Sequence, residues 1–87
     1  MIDVRQAASA AQNYLAGLAS DLNVSADTVR LEEVELSEDG SYWLITLSYA
    51  ERNVLGFAIH ERTYKQFRVD AEGEVRWMHI RQLDRAA

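Results

Sequence analysis

Between Ser41 and Ala50 the chain reads Ser-Tyr-Trp-Leu-Ile-Thr-Leu-Ser-Tyr-Ala, and no other run limits the fold so much. Its aromatic and β-branched residues suit a pleated strand. Successive side chains alternate across a strand, so Trp43, Ile45, Leu47 and Tyr49 point one way and Tyr42, Leu44, Thr46 and Ser48 the other. Apolar groups stand on both sides, so a sheet built around this strand wants cover on both faces.

Two further strands follow from the same alternation. Arg62 to Val69 alternates around Tyr64, Phe67 and Val69. Asp70-Ala71-Glu72-Gly73 then forms a turn, and Glu74 to Leu83 returns. With Gly73 left-handed in a three-residue loop, Val69 faces Val75 and Phe67 faces Trp77. Those four side chains join the Trp43 face. The other face then carries Arg62, Tyr64, Gln66 and Arg68 across from Gln82, Ile80, Met78 and Arg76.

Upstream, Val29 to Leu36 is the first strand. Val29 and Leu31 are in phase, Glu32-Glu33 interrupts, and Val34 and Leu36 resume out of phase, so a β-bulge near Glu32 restores a common face. Ser37-Glu38-Asp39-Gly40 is the hairpin turn, with Gly40 supplying the positive φ. Before it all comes a helix over residues 4–22. Asp3 and Gln6 have the spacing of a capping box. Val4, Ala8, Ala11, Leu15, Leu18 and Leu22 recur in steps of four and three along one stripe, and Asn23 suits a left-handed helix end.

The expected architecture is α+β: one N-terminal helix packed on a four-stranded antiparallel meander. Residues 1–87 form a single domain, with strands near 29–36, 41–50, 62–70 and 74–83. A chain of 87 residues can bury about 60–65% of its unfolded surface. It has no cysteine and no proline, so its hydrophobic core must hold it without disulfides or thiolate metal sites.

The net charge of -5 argues against general nucleic-acid binding, because phosphate contacts need a surplus of Lys and Arg. Stacking of RNA bases on Tyr42 and Tyr64 would have to overcome that charge. Residues 1–50 hold two arginines against eight acids, and residues 51–87 hold seven Lys or Arg against six acids. The acidic first strand and the more basic later strands fit together as one complementary sheet. No basic region followed by an apolar run opens the chain, and no 18 apolar residues run together. A cytoplasmic location is the expectation, with no membrane span; a chain trimmed of a leader would have lost its export signal.

The segment Trp43-Leu44-Ile45-Thr46-Leu47 and the stretch from Tyr64 through Val69-Asp70-Ala71-Glu72-Gly73-Glu74-Val75 resemble PepSY-type and cystatin-like small domains. In these a strand ending in Val-Asp-Ala, a Gly turn and a following Val recur. The resemblance covers the last half of the chain. It implies a non-catalytic module that binds or inhibits other proteins. Many such domains are exported, and this chain departs from them in showing no signal.

Nothing in the sequence assembles into a site for catalysis, and an enzyme is not expected. His60 and His79 are the only histidines, and neither has a metal-ligand neighbour at a useful spacing. His60 and Glu61 are adjacent on a strand and so point to opposite faces. The four glycines form no phosphate loop, and no serine sits in a nucleophile elbow. No metal and no cofactor are expected.

Two features point to contact instead. Tyr42, Leu44, Tyr64, Met78 and Ile80 share a face flanked by Arg62, Arg68 and Arg76, and aromatics, Met and Arg are enriched in protein interfaces. The Glu51–Glu61 connector holds Val54-Leu55-Gly56-Phe57-Ala58-Ile59, unusually apolar for a loop. It either extends the second and third strands into a long hairpin about Asn53, folds down as a lid, or projects with Leu55, Phe57 and Ile59 as contacts. The leading expectation is a non-enzymatic protein-interaction module, a homodimer or a small acidic partner or inhibitor of a larger protein. The alternative is a small-ligand module with a shallow pocket between helix, sheet and connector.

Overall fold

The computed structural model describes residues 2–53, 55 and 58–81, with only the backbone of 58–60. Its first element is set by the predicted capping box. The Gln6 amide donates to Asp3 Oδ1 at 2.8 Å, and the Asp3 amide donates to Gln6 Oε1 at 2.9 Å. Helix α1 runs Val4–Gly17 and a single turn, α2, runs Ala19–Leu22. The expected single helix is broken at Leu18, whose φ and ψ are -104° and 3° and whose amide turns back to Leu15. Gly17 stands at the break, and glycine is a poor helix former. Asn23 closes α2 in the left-handed conformation at φ 54° and ψ 38°.

The buried line of α1 is Ala7, Ala11 and Leu15, a ridge of steps of four. Ala8 is only half-buried and Val4 is exposed, contrary to the stripe drawn from the sequence. Ile2 explains the difference at the N-terminal end. It packs against the core ahead of the helix, and its carbonyl accepts from Trp43 Nε1 at 3.2 Å.

A short 3₁₀ turn, Ala26–Thr28, leads to the sheet: β1 Arg30–Leu36, β2 Tyr42–Arg52, β3 Ala58–Asp70 and β4 Val75–Ile80, antiparallel in the order β1-β2-β3-β4. The expected bulge lies between Leu31 and Glu33, so Leu31, Val34 and Leu36 share the side of Leu47, Ile45 and Trp43. Both glycine turns have their positive φ, 74° at Gly40 and 86° at Gly73. β2 and β3 run past the sequence-based limits to Arg52 and Ala58, which pair. The described ends of the connector are therefore ladder, as in the long-hairpin form.

β4 differs from expectation in register. Val69 does pair with Val75, but Phe67 pairs with Met78 and Arg68 with Trp77. The ladder shifts between Arg68 and Val69, leaving Arg76 as the extra residue of a bulge. One added residue reverses the faces of every later side chain. Met78 therefore packs against the core, and Trp77 moves to the other side.

α1 lies over β2, β3 and β4. The core beneath it is Ala7, Ala11, Leu15, Val24, Ile45, Leu47, Tyr49, Phe67 and Val69. Tyr14 meets Phe67 edge-on, with ring centroids 6.2 Å apart. Alanines at the contact let the helix approach the sheet closely. The helix-side residues of β1 stay open: Leu31, Val34 and Leu36 are 46%, 39% and 43% exposed. Among the described residues no helix is long and apolar enough to cross a membrane.

Candidate interaction face

The sheet face away from α1 is formed by alternate residues of four strands, and the middle of it is covered by its own side chains. Thr46 and Ser48 lie on this face of β2, yet both are fully buried. Arg62 accounts for much of the polar wiring. Its Nε donates to Ser48 Oγ at 2.9 Å, and a terminal nitrogen donates to the Thr28 carbonyl. Ser48 Oγ in turn donates to Glu32 Oε2 at 2.6 Å, so a chain of hydrogen bonds joins β3 to the β1 bulge. Thr28 Oγ1 accepts from the Ala50 amide at 2.8 Å and ties the 3₁₀ turn to β2.

A second arginine spans the same face. Arg81 Nε lies 3.3 Å from Glu33 Oε1, linking the end of β4 to β1. Both side chains are about two-fifths exposed, so the pair contributes at most ~1 kcal/mol. The acidic β1 is not a neighbour of the more basic β3 and β4 in the ladder; side chains from Arg62 and Arg81 reach it across the face. Thr46 Oγ1, between them in the ladder, is buried with no hydrogen-bond partner among the described residues.

Away from that strip the face carries aromatic groups. The Arg68 guanidinium carbon lies 3.7 Å from the centroid of the Tyr42 ring, a cation–π contact worth about 0.5–1 kcal/mol at a partly exposed site. Trp77 and His79 stack at 4.1 Å and 19°. Leu44 and Tyr64 are half-buried and fall on this face with Tyr42 and Arg68, by the alternation of β2 and β3.

Asp70 anchors one corner. Its Oδ1 accepts from the Glu72 and Glu74 amides at 3.0 and 2.9 Å, and its Oδ2 accepts from Arg76 Nε at 2.5 Å. The Glu74 amide foremost, and the Arg76 guanidinium with it, holds the Asp70 carboxyl below the ordinary range. Asp39 does similar work in the β1–β2 turn. The hydroxyl and amide of Ser41 and the hydroxyl of Ser37 donate to it, the Ser41 hydroxyl at 2.7 Å, and bring its pKa down to about 2.

Of the contact residues chosen from the sequence, Tyr42, Leu44, Tyr64 and Arg68 come together on this face, and Arg76 is held towards it by Asp70. Met78 and Ile80 do not. The Arg76 bulge puts them on the helix side, Met78 in the core margin and Ile80 65% exposed at the strand end. Leu55 is 76% exposed, while Phe57 and the side chains of Ile59 and His60 lie outside the described residues.

Trp77, His79 and Arg81 belong to the face and were missed. Val75-Arg76-Trp77-Met78-His79-Ile80 is apolar in both phases, so alternation could not choose between them. The Arg76–Asp70 pair could have warned that Arg76 is drawn out of the regular ladder.

Two grooves flank α1. One of about 720 Å³ runs between Arg5, Ser9, Tyr14 and the Gly73–Val75 turn. The other, of about 370 Å³, is lined mainly by Leu15, Ala16, Ala19, Val24, Ala26 and Val29. Neither is lined by described residues of the connector, most of whose side chains lie outside the described residues. Among the described residues no three His, Asp or Glu side chains gather as metal ligands. Compared with protein-family models, with curated proteins and with solved structures, the chain finds no match.

Proposed function

We propose that the protein is a non-enzymatic interaction module that binds a protein partner or a second copy of itself through the open sheet face. The observation that carries this reading is the joint placement of Tyr42, Leu44, Tyr64, Arg68, Trp77 and His79 on a face that α1 does not cover. Aromatic and Arg side chains on a rigid sheet supply contact area at low entropic cost, and such residues dominate binding energy at interfaces. The plainer reading, that the arginine straps close this face by themselves, accounts for Thr46 and Ser48 but leaves Trp77 and His79 without a role.

Leu44→Asp tests it. Leu44 is half-buried, so the fold, checked by circular dichroism, should survive while association is lost. Affinity capture from lysate and sedimentation of the purified protein give the readout. A stoichiometric partner, or a dimer, absent with Leu44→Asp supports the face; the same proteins held by both forms remove it. Met78→Asp cannot serve here, because it strikes the core.

The second reading is a small apolar ligand in the groove of about 370 Å³ beside Leu15, Ala19 and Val24. Its volume is near the low end for ligand sites. A ligand bound only by the folded state raises the melting temperature, and Ala19→Trp should abolish that rise. A broad metabolite screen without a shift removes this reading.

A further inference from the structure

β1 is a terminal strand with two unlike flanks. On the helix side Leu31, Val34 and Leu36 remain 46%, 39% and 43% exposed beyond the reach of α1. On the other side Glu33 and Glu35 stand opposite Thr46 and Leu44, with Glu32 on the bulge. From Glu32 to Asp39 the chain carries five acids and no Lys or Arg. A recess of about 450 Å³ at the hairpin end is lined by Glu35, Glu38, Asp39, Tyr42 and Leu44, with Ser37.

The outer edge of such a strand offers unpaired backbone groups to another strand. A second copy of β1 is a poor occupant, because antiparallel self-pairing sets glutamates against glutamates on one flank, and like charges across a ladder repel. The same arrangement suits a strand of opposite charge whose alternate side chains are apolar.

We propose that the edge of β1 accepts an extended segment of a partner protein that alternates apolar and basic residues. The apolar side chains lie against Leu31, Val34 and Leu36. The basic ones lie beside Glu33 and Glu35, and the last of them enters the acidic recess. Backbone bonds supply the common part of the affinity in strand addition, and the alternating side chains supply the selectivity. This surface is the outer edge of β1; it meets the open face only where Tyr42 and Leu44 line the recess, and amide shifts on Arg30–Leu36 distinguish it from binding at Tyr64 and Trp77.

The test uses three synthetic peptides of equal length: one alternating Val and Lys, one alternating Val and Glu, and one with the Val and Lys residues in separate blocks. Each is titrated into isotope-labelled protein and followed by backbone amide shifts. The alternating Val/Lys peptide should saturate with shifts centred on Arg30–Leu36. Glu33→Lys/Glu35→Lys should weaken it about tenfold or more, since charge pairs at close range govern such discrimination, and should gain binding of the Val/Glu peptide. Val34→Asp should weaken both alternating peptides. Among the described residues Glu35 has no ion pair, so Glu35→Lys alone carries the charge test if the double variant loses its fold. Absence of shifts, equal binding of the block peptide, or shifts confined to Tyr64 and Trp77 would overturn the proposal.

Discussion

Phe67 on β3 stands directly opposite Met78 on β4, and this pairing seats the methionine at the core margin while Trp77 turns to the open face. The cause is the single extra residue, Arg76, whose guanidinium is held by Asp70 at 2.5 Å. The two apolar side chains, adjacent in sequence, therefore have different duties.

Their substitutions should separate. Met78→Ala removes a partly buried side chain packed on the core and should cost about 1–2 kcal/mol, below the range for fully buried methionines. Trp77→Ala should cost less in stability but remove the stacking contact with His79 and reduce any association through the open face. Urea unfolding of both variants measures the first difference, and sedimentation or capture the second. A larger stability loss at Trp77 would contradict the observed register.

The approach of α1 to the sheet makes a second contrast. Ala11 is fully buried, so Ala11→Leu should overpack the helix–sheet contact and destabilise by about 1–3 kcal/mol. Gln12→Leu, one position on and exposed, should change stability by at most ~0.5 kcal/mol. Thermal melts of the pair report the difference.

Acid sensitivity should have an identifiable contribution from Asp39. Its folded pKa is about 2 against an ordinary 3.8, because the Ser41 hydroxyl, then the Ser41 amide and the Ser37 hydroxyl, favour the carboxylate. A depressed carboxyl contributes stability that is fully present above its unfolded pKa and is lost as pH falls through its folded one. The stability advantage of the wild type over Asp39→Asn should therefore shrink from pH 3.8 down to about 2. A gap that stays constant across that interval would remove Asp39 as the source.

Glycine substitutions should differ in sign. At Gly73, with φ 86°, an added Cβ would meet, among the described residues, only Ile2 side-chain carbons at 3.9 Å, an ordinary contact. The cost of Gly73→Ala is thus conformational, about 1–2 kcal/mol for the left-handed region. Gly17 belongs to α1, has a clear surround and does not need positive φ. Gly17→Ala should stabilise by about 0.5–1 kcal/mol, and it should extend helicity across the Leu18 break, visible by circular dichroism.

Local sequence is enough to read the α+β architecture, the capping box of Asp3 and Gln6, the two glycine turns and the bulge at Glu32. Each is a local property: an alternation, a side chain reaching its own turn, or a backbone angle that only glycine accepts readily. The Asn23 helix end was legible for the same reason. What lies on each side of β4 was not, because Trp77 and Met78 are both apolar and alternation is indifferent to which one faces inward. That choice follows the bulge at Arg76, the residue that Asp70 holds out of the regular ladder. The same holds for Ser48 and Thr46, whose burial depends on side chains folding across the face, with Arg62 and Arg81 reaching over β2 towards β1. The exposure of Leu31, Val34 and Leu36 is likewise a tertiary result. Their alternation marks them for a buried flank, but α1 settles over β2, β3 and β4, and one helix is too narrow to cover a fourth strand.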